Sequence, residues 1–163
     1  MKLKVVLALS LAVLGLITIA NYERILEERD RQFVRAAWNG QLLKMKVLRL
    51  LGTNINVYPG GMQPAIVAAA WTGQYHCIKY LLDRGAAIDA KDKFGWTALI
   101  AAANSGKAET VELLLSRGAN INVVSMDGSA LRLALENNNQ EVIALLKQHG
   151  AKDCNWRQFN NCN

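Results

Sequence analysis

Proline is nearly absent from this chain: Pro59 and Pro64 are the two in 163 residues. Proline breaks helices, so its scarcity permits a helix-rich chain with a few sharp loops. Histidine is as scarce. His76 stands beside Cys77, and adjacent residues of a helix do not face one another. His149, Cys154 and Cys162 are three scattered ligand types without a tight pair, so no metal site is expected. The sequence contains no G-x-G-x-x-G, no phosphate loop and no G-x-S-x-G. Its Asp and Glu residues are dispersed over helix surfaces and turns. These absences argue against an enzyme, a cofactor and a small-molecule substrate. Nor is there a run of five or six Lys or Arg. The net charge of +6 is scattered, which reads as solubility rather than as a nucleic-acid footprint. With 52% apolar and 20% charged residues, the chain is not a disordered polymer, and its length suits one domain.

The first twenty residues differ in kind. Lys2 and Lys4 precede an uncharged apolar run from Val5 to Ala20, with Thr18-x-Ala20 as a cleavage-like end. A basic start, an apolar middle and small residues before the end describe a signal peptide. Sixteen helical residues span only about 24 Å, short of the roughly 30 Å hydrocarbon core, which favours a signal over a membrane anchor. The anchor stays open, because no Gly or Pro lies between Leu16 and Asn39 to stop a helix running on. Either reading carries the rest of the chain across a membrane. Arg24, Arg29, Arg31 and Arg35 after the segment leave its orientation unsettled.

In the C-terminal tail, residues 152–163, Cys154 and Cys162 bracket a short polar stretch with Asn155, Asn160 and Asn161 to turn it. A bridge there would be worth about 2–3 kcal/mol and would require an oxidising compartment. The alternative is two free thiols.

The middle of the chain repeats itself. Gly52, Gly85 and Gly118 are 33 residues apart, and Gly150 follows after 32. Gly40, Gly73 and Gly106 keep the 33-residue step, as do Ala36-Ala37, Ala69-Ala70 and Ala102-Ala103, and Ile55, Ile88 and Ile121. Asn138 or Asn139 takes the place of the fourth Gly. A fixed period of this length with helix–turn–helix content marks a solenoid, in which each unit hides one face only by stacking on a neighbour. The small Ala pairs let helices approach closely. Glycine stops each helix, because helices commonly end on a left-handed residue. Val111, Leu114 and Leu115 give the second helix of a unit its apolar face. Ile121 is expected to point inward from an extended segment, and Cys77, on an apolar position, to be a small buried hydrophobe.

Asp92, Gly95, Thr97, Leu99, Ala102, Ala103, Gly106, Leu114, Leu115, Gly118, Ala119, Ile121 and Asn122 resemble the pattern of the ankyrin repeat family, over about residues 30–151. The resemblance implies an all-α solenoid of about four helix–turn–helix units, with boundaries near 30–57, 58–90, 91–123 and 124–151, after an N-terminal apolar helix. The fit has departures. Thr97-Ala98-Leu99-Ile100 lacks the family's His, the second unit has the loop "YPGGMQ", the first has no entry turn, and the fourth lacks one residue near Asp127. End units that cap a stack are often atypical.

In ankyrin arrays the turn tips and the ends of the first helices line a concave face that usually binds proteins. Carried over by position, those slots hold Trp38 and Asn39, then Tyr58, Gln63, Trp71 and Thr72. The third unit supplies Lys91, Lys93, Phe94, Trp96, Asn104 and Ser105, and the fourth Ser125, Met126, Glu136 and Asn137. Five of the eleven aromatic residues fall in this set. Trp38 and Trp71, 33 apart, are expected side by side. Exposed Trp and Tyr dominate interface energetics, so Trp38, Tyr58, Trp71, Lys91, Lys93, Phe94, Trp96 and Asn104 are the expected partner contacts. The competing role for Trp38 and Trp71 is to seal the groove between units. The resemblance and the bacterial look of the N-terminal segment imply a periplasmic protein-binding module, such as a toxin-neutralising immunity protein or a scaffold that supports an enzyme. The alternative is a scaffold tethered to the membrane by its N-terminal helix.

Overall fold

In the computed structural model of the chain, residues 2–61 and 63–153 are described, with side chains from residue 21 onward and at Thr18. The expected Cys154–Cys162 bridge lies outside these residues. The helices are α1 (Lys2–Trp38), α2 (Leu42–Leu50), α3 (Ala65–Thr72), α4 (Tyr75–Asp83), α5 (Ala98–Asn104), α6 (Ala108–Ser116), α7 (Ala130–Glu136) and α8 (Gln140–Gln148). Among the described residues the only β feature is an isolated bridge between Val124 and Ser129.

The helices form two layers. In the first layer α1, α3, α5 and α7 pack in sequence, and in the second α2, α4, α6 and α8 do so. Composition explains the division. The segments AIVAAAWT and ALIAAAN are small and apolar on every side, so α3 and α5 are buried between neighbours on both flanks. The second-layer helices α4 and α6 bury one apolar stripe each, with Cys77, Ile78 and Leu81 in α4 and Val111 and Leu114 in α6. Cys77 is buried in that stripe, and burial pushes its thiol pKa up, so it packs as a small apolar side chain.

The 33-residue signals each have a mechanical job. The Ala pairs receive the bonds that close the first helices: Gln74 N donates to Ala69 O at 2.9 Å and Gly73 N to Ala70 O at 3.2 Å, with the same pair of bonds after α1, α5 and α7. Such a close needs a left-handed residue. Gly73 has φ 72° and Gly106 φ 66°, and Asn138, at φ 55°, fills the slot in the last unit. Asparagine tolerates that region better than other side chains.

A second set of bonds ties unit to unit at the opposite edge. Asn56, Asp89 and Asn122 occupy equivalent positions. Their side-chain oxygens accept from the backbone N–H groups of Ala87 at 2.8 Å, Asn120 at 3.0 Å and Lys152 at 3.3 Å, each one unit further on. Ile55, Ile88 and Ile121 face the core beside them. They do so from turns rather than from the extended segment expected, because Asn54 and Asn120 fold the chain by accepting from Asn56 N and Asn122 N.

The first unit is the irregular one. With no Pro in it and no Gly after Gly15, α1 runs unbroken for 37 residues, and its C-terminal part serves as the first-layer helix through Phe33, Val34, Ala36 and Ala37. Arg29 Nη1 reaches across to donate to Leu51 O at 2.8 Å, satisfying a carbonyl at the end of α2. Among the described residues, no helix is both long and apolar enough to cross a membrane.

Thr53 stands where the other units have Ala86, Ala119 and Ala151, and its fully buried hydroxyl has no hydrogen-bond partner. A buried unpaired hydroxyl costs about 1–3 kcal/mol. Thr53→Val keeps the shape and removes the polar atom, and urea denaturation is expected to show a gain of about 1 kcal/mol. A loss of stability would mean that the hydroxyl is satisfied in solution.

Candidate partner-binding face

The side chains proposed for the site lie on the turn tips and at the C-terminal ends of the first-layer helices. The third unit carries the best-formed tip. Asp92 Oδ1 accepts from Phe94 N and Trp96 N, both at 2.8 Å, and Asp92 N donates to Trp96 O at 3.0 Å. Gly95, at φ 81°, lets the chain turn within that loop. Thr97 then caps α5 by accepting from Ile100 N at 3.4 Å. Ile100, in the place of the family's His, is buried.

The fourth tip repeats the plan with other chemistry. Ser125 stands for Asp92: its Oγ accepts from Asp127 N at 3.3 Å and donates to Gly128 O at 2.9 Å. The residue missing from this unit is the counterpart of Trp96, since Gly128 leads straight into the helix cap Ser129. The two tips are joined directly. Met126 N donates to Phe94 O at 3.1 Å, and Trp96 Nε1 donates to Asp127 Oδ2 at 2.6 Å.

Trp96 is therefore not an open contact residue, as the sequence led us to expect. It is 9% exposed, its indole N–H is bound to Asp127, and its ring stacks on Trp71 with centroids 5.0 Å apart and planes 12° from parallel. Trp71, half-buried, thus pairs with the following unit. The end of α3 does reach the end of α1, through Thr72 Oγ1 donating to Trp38 O at 2.7 Å. Asn104 is also engaged: its Oδ1 accepts from Asn137 Nδ2 at 2.9 Å, and its carbonyl accepts from Asn139 at 3.0 Å. These residues seal one unit against the next.

The others remain open. Trp38 is 43% exposed, Tyr58 43% and Phe94 48%. They stand at three separate concavities. Trp38 shares a groove of ≈ 450 Å³ with Val34, Arg35, Asn39, Gln63 and Ala68. Tyr58 and Lys91 line a cleft of ≈ 220 Å³ beside Pro64 and Ala90. Phe94 and Lys93 border a hollow of ≈ 510 Å³ with Gly95, Val124 and exposed Met126. Lys93 Nζ lies 4.9 Å from the centre of the Phe94 ring, which holds a cation against an apolar face. Neither Lys91 nor Lys93 has an ion-pair partner among the described residues. Arg35 joins the Trp38 groove from one turn earlier on α1, a place that the three-residue helix spacing could have indicated.

A row of helix pairs with linked tips and open grooves between them defines a repeat protein of the solenoid class. A family model for ankyrin repeats (3 copies) matches residues 33–125 and 65–158. The chain belongs to the ankyrin repeat family, whose members serve generally as non-catalytic protein-interaction modules. Among curated proteins, none matches it.

Proposed function

We propose that the chain is a non-enzymatic binding module that grips another protein across its turn-tip face, with Trp38, Tyr58 and Phe94 as apolar anchors and Lys91 and Lys93 as cationic ones. The observation that carries this reading is the pairing at the third and fourth tips. Phe94 and Met126 are left in water around a hollow whose walls are fixed by hydrogen bonds between and within the tips. A rigid loop that exposes a large apolar ring loses little entropy when covered. The unpaired Lys91 and Lys93 call for carboxylates on the partner. Trp71, Trp96 and Asn104 act beneath the surface by holding the tips in register.

The setting proposed for this binding is the bacterial periplasm, reached through the N-terminal segment, with neutralising a toxin or supporting an enzyme as the two uses in view. A membrane-tethered scaffold draws support from the unbroken course of α1.

The test is affinity capture with wild-type chain and with Phe94→Ser/Lys93→Glu. Both side chains are exposed, so the variant is expected to melt as the wild type does. Partner affinity is expected to fall about 30-fold, since anchors of this kind contribute about 2 kcal/mol. A variant that holds the same partner undiminished would remove the tip from the interface.

A further inference from the structure

The end of the array formed by α1 and α2 carries apolar surface that the stack does not use. Leu43, Val47 and Leu50 follow one another at helical spacing on α2 and are 76%, 47% and 87% exposed. Met45 and Leu48 point the other way, into the core. Leu51, next in the chain, extends this face to a groove of ≈ 820 Å³ between α1 and α2, which Tyr22 and Ile25 also line. Both are more than half exposed. Scattered exposed leucines need no explanation, but a continuous apolar face on a terminal unit does. Elsewhere in the second layer the outward positions are polar, as with His76, Lys79 and Asp83 on α4 and Glu109, Glu112 and Ser116 on α6.

The charges on α2 itself have one sign. α2 reads LLKMKVLRL, with Lys44, Lys46 and Arg49 and no acidic residue. On the facing part of α1, Glu27, Glu28 and Asp30 are taken up by Arg31, Arg35 and Arg29. Among the described residues Lys44, Lys46 and Arg49 have no ion-pair partner, although Lys46 Nζ lies 6.0 Å from the centre of the Tyr80 ring. A leucine-rich face bordered by such cations is the composition of a helix that lies in a bilayer surface, with apolar side chains at acyl depth and cations at the headgroups. A second copy fits less well, since self-pairing would bring like charges together. The apolar run Val5–Ala20 leads directly into Tyr22 along the same helix.

We propose that the α2 face, with Leu43, Val47 and Leu50 flanked by Lys44, Lys46 and Arg49, is a docking surface for an anionic lipid bilayer, which lays the first unit on the membrane.

Because the N-terminal segment can itself enter lipid, the readout must be local to α2. The full chain carries Cys154→Ser and Cys162→Ser, leaving buried Cys77 unreactive, and a polarity-sensitive dye is attached through Leu50→Cys. Vesicles of phosphatidylglycerol are expected to shift the dye emission to the blue, whereas phosphatidylcholine vesicles leave it nearly unchanged. Reversing Lys44 and Lys46 to Glu is expected to weaken the response about tenfold or more, as is salt of about 0.5 M. The same dye at Glu112→Cys, on α6 and away from the face, is expected to show no shift. Absence of a shift at residue 50 with anionic vesicles, or an equal shift at residue 112, would overturn the proposal. So would a shift without lipid that grows with protein concentration, which would make a second copy the occupant.

Discussion

Leu114→Ala is expected to cost about 3 kcal/mol or more and to weaken the whole array. The same substitution at Leu146 is expected to loosen only its end. Both side chains are fully buried, so a single-core protein would treat them alike. The array does not, because α6 is packed between α4 and α8, whereas among the described residues α8 has one second-layer neighbour, α6. In a row of units stability is approximately a sum of unit terms and nearest-neighbour terms. A cavity at Leu114 damages a unit that supports two others, but the last unit can fray alone. Urea unfolding followed by circular dichroism gives the overall loss. Labelling of Cys77 in the Cys154→Ser/Cys162→Ser chain reports on the second unit, since that thiol reacts only when exposed. Leu114→Ala should speed this labelling, and Leu146→Ala should lower the helical signal early while Cys77 stays protected. Equal effects on both probes would mean that the units do not behave as a row.

Gly106→Ala is expected to lose about 3 kcal/mol, and Gly118→Ala about 1 kcal/mol, although both residues have positive φ. The left-handed backbone, at φ 66° and 84°, accounts for the shared part. What differs is the neighbour. A Cβ on Gly106 would lie 2.8 Å from Asn139 Oδ1, whereas one on Gly118 would meet nothing within 4 Å. The Asn139 carboxamide cannot simply swing away. Its Nδ2 donates to Ala103 O at 2.9 Å and Asn104 O at 3.0 Å, joining the fourth unit to the third. Displacing it sacrifices both bonds. A Gly106→Ala/Asn139→Ala double variant should therefore be less unstable than the sum of the single losses, because the clash and the bonds share one side chain. Additive losses would place the cost in the backbone alone. Gly40 and Gly73 meet Gln74 and Lys107 in the same way, so the helix-ending glycines are spaced by the reach of the next unit as well as by φ.

The architecture was legible because each repeated residue does one local job in every unit. The glycines mark left-handed closes and the Ala pairs mark close helix approach, jobs set by neighbouring residues. The link that Asn56, Asp89 and Asn122 make to the next unit spans about 30 residues and shows only in the structure. The site was less legible for the opposite reason. Whether a tryptophan at a turn tip is open depends on what the next unit places over it. Trp96 is covered because Asp127, 31 residues later, takes its indole N–H and because Trp71 stacks on its ring. Asn104 is occupied by the fourth unit's Asn137 and Asn139. Phe94 and Trp38 remain open because, among the described residues, nothing comparable reaches them. The apolar face of α2 had a readable signal in Leu43, Val47 and Leu50, but the same spacing also describes a buried stripe. Only the placement of Met45 and Leu48 shows which side of α2 the core takes.

The central claim is that the linked tips of the third and fourth units are where a partner protein sits. Hydrogen exchange on the complex with the partner retained in affinity capture tests it residue by residue. The account predicts new protection across residues 91–96 and 124–128, with the outer faces of α4, α6 and α8 exchanging as they do in the free chain. Protection confined to those outer helices, with the tips unchanged, would contradict it.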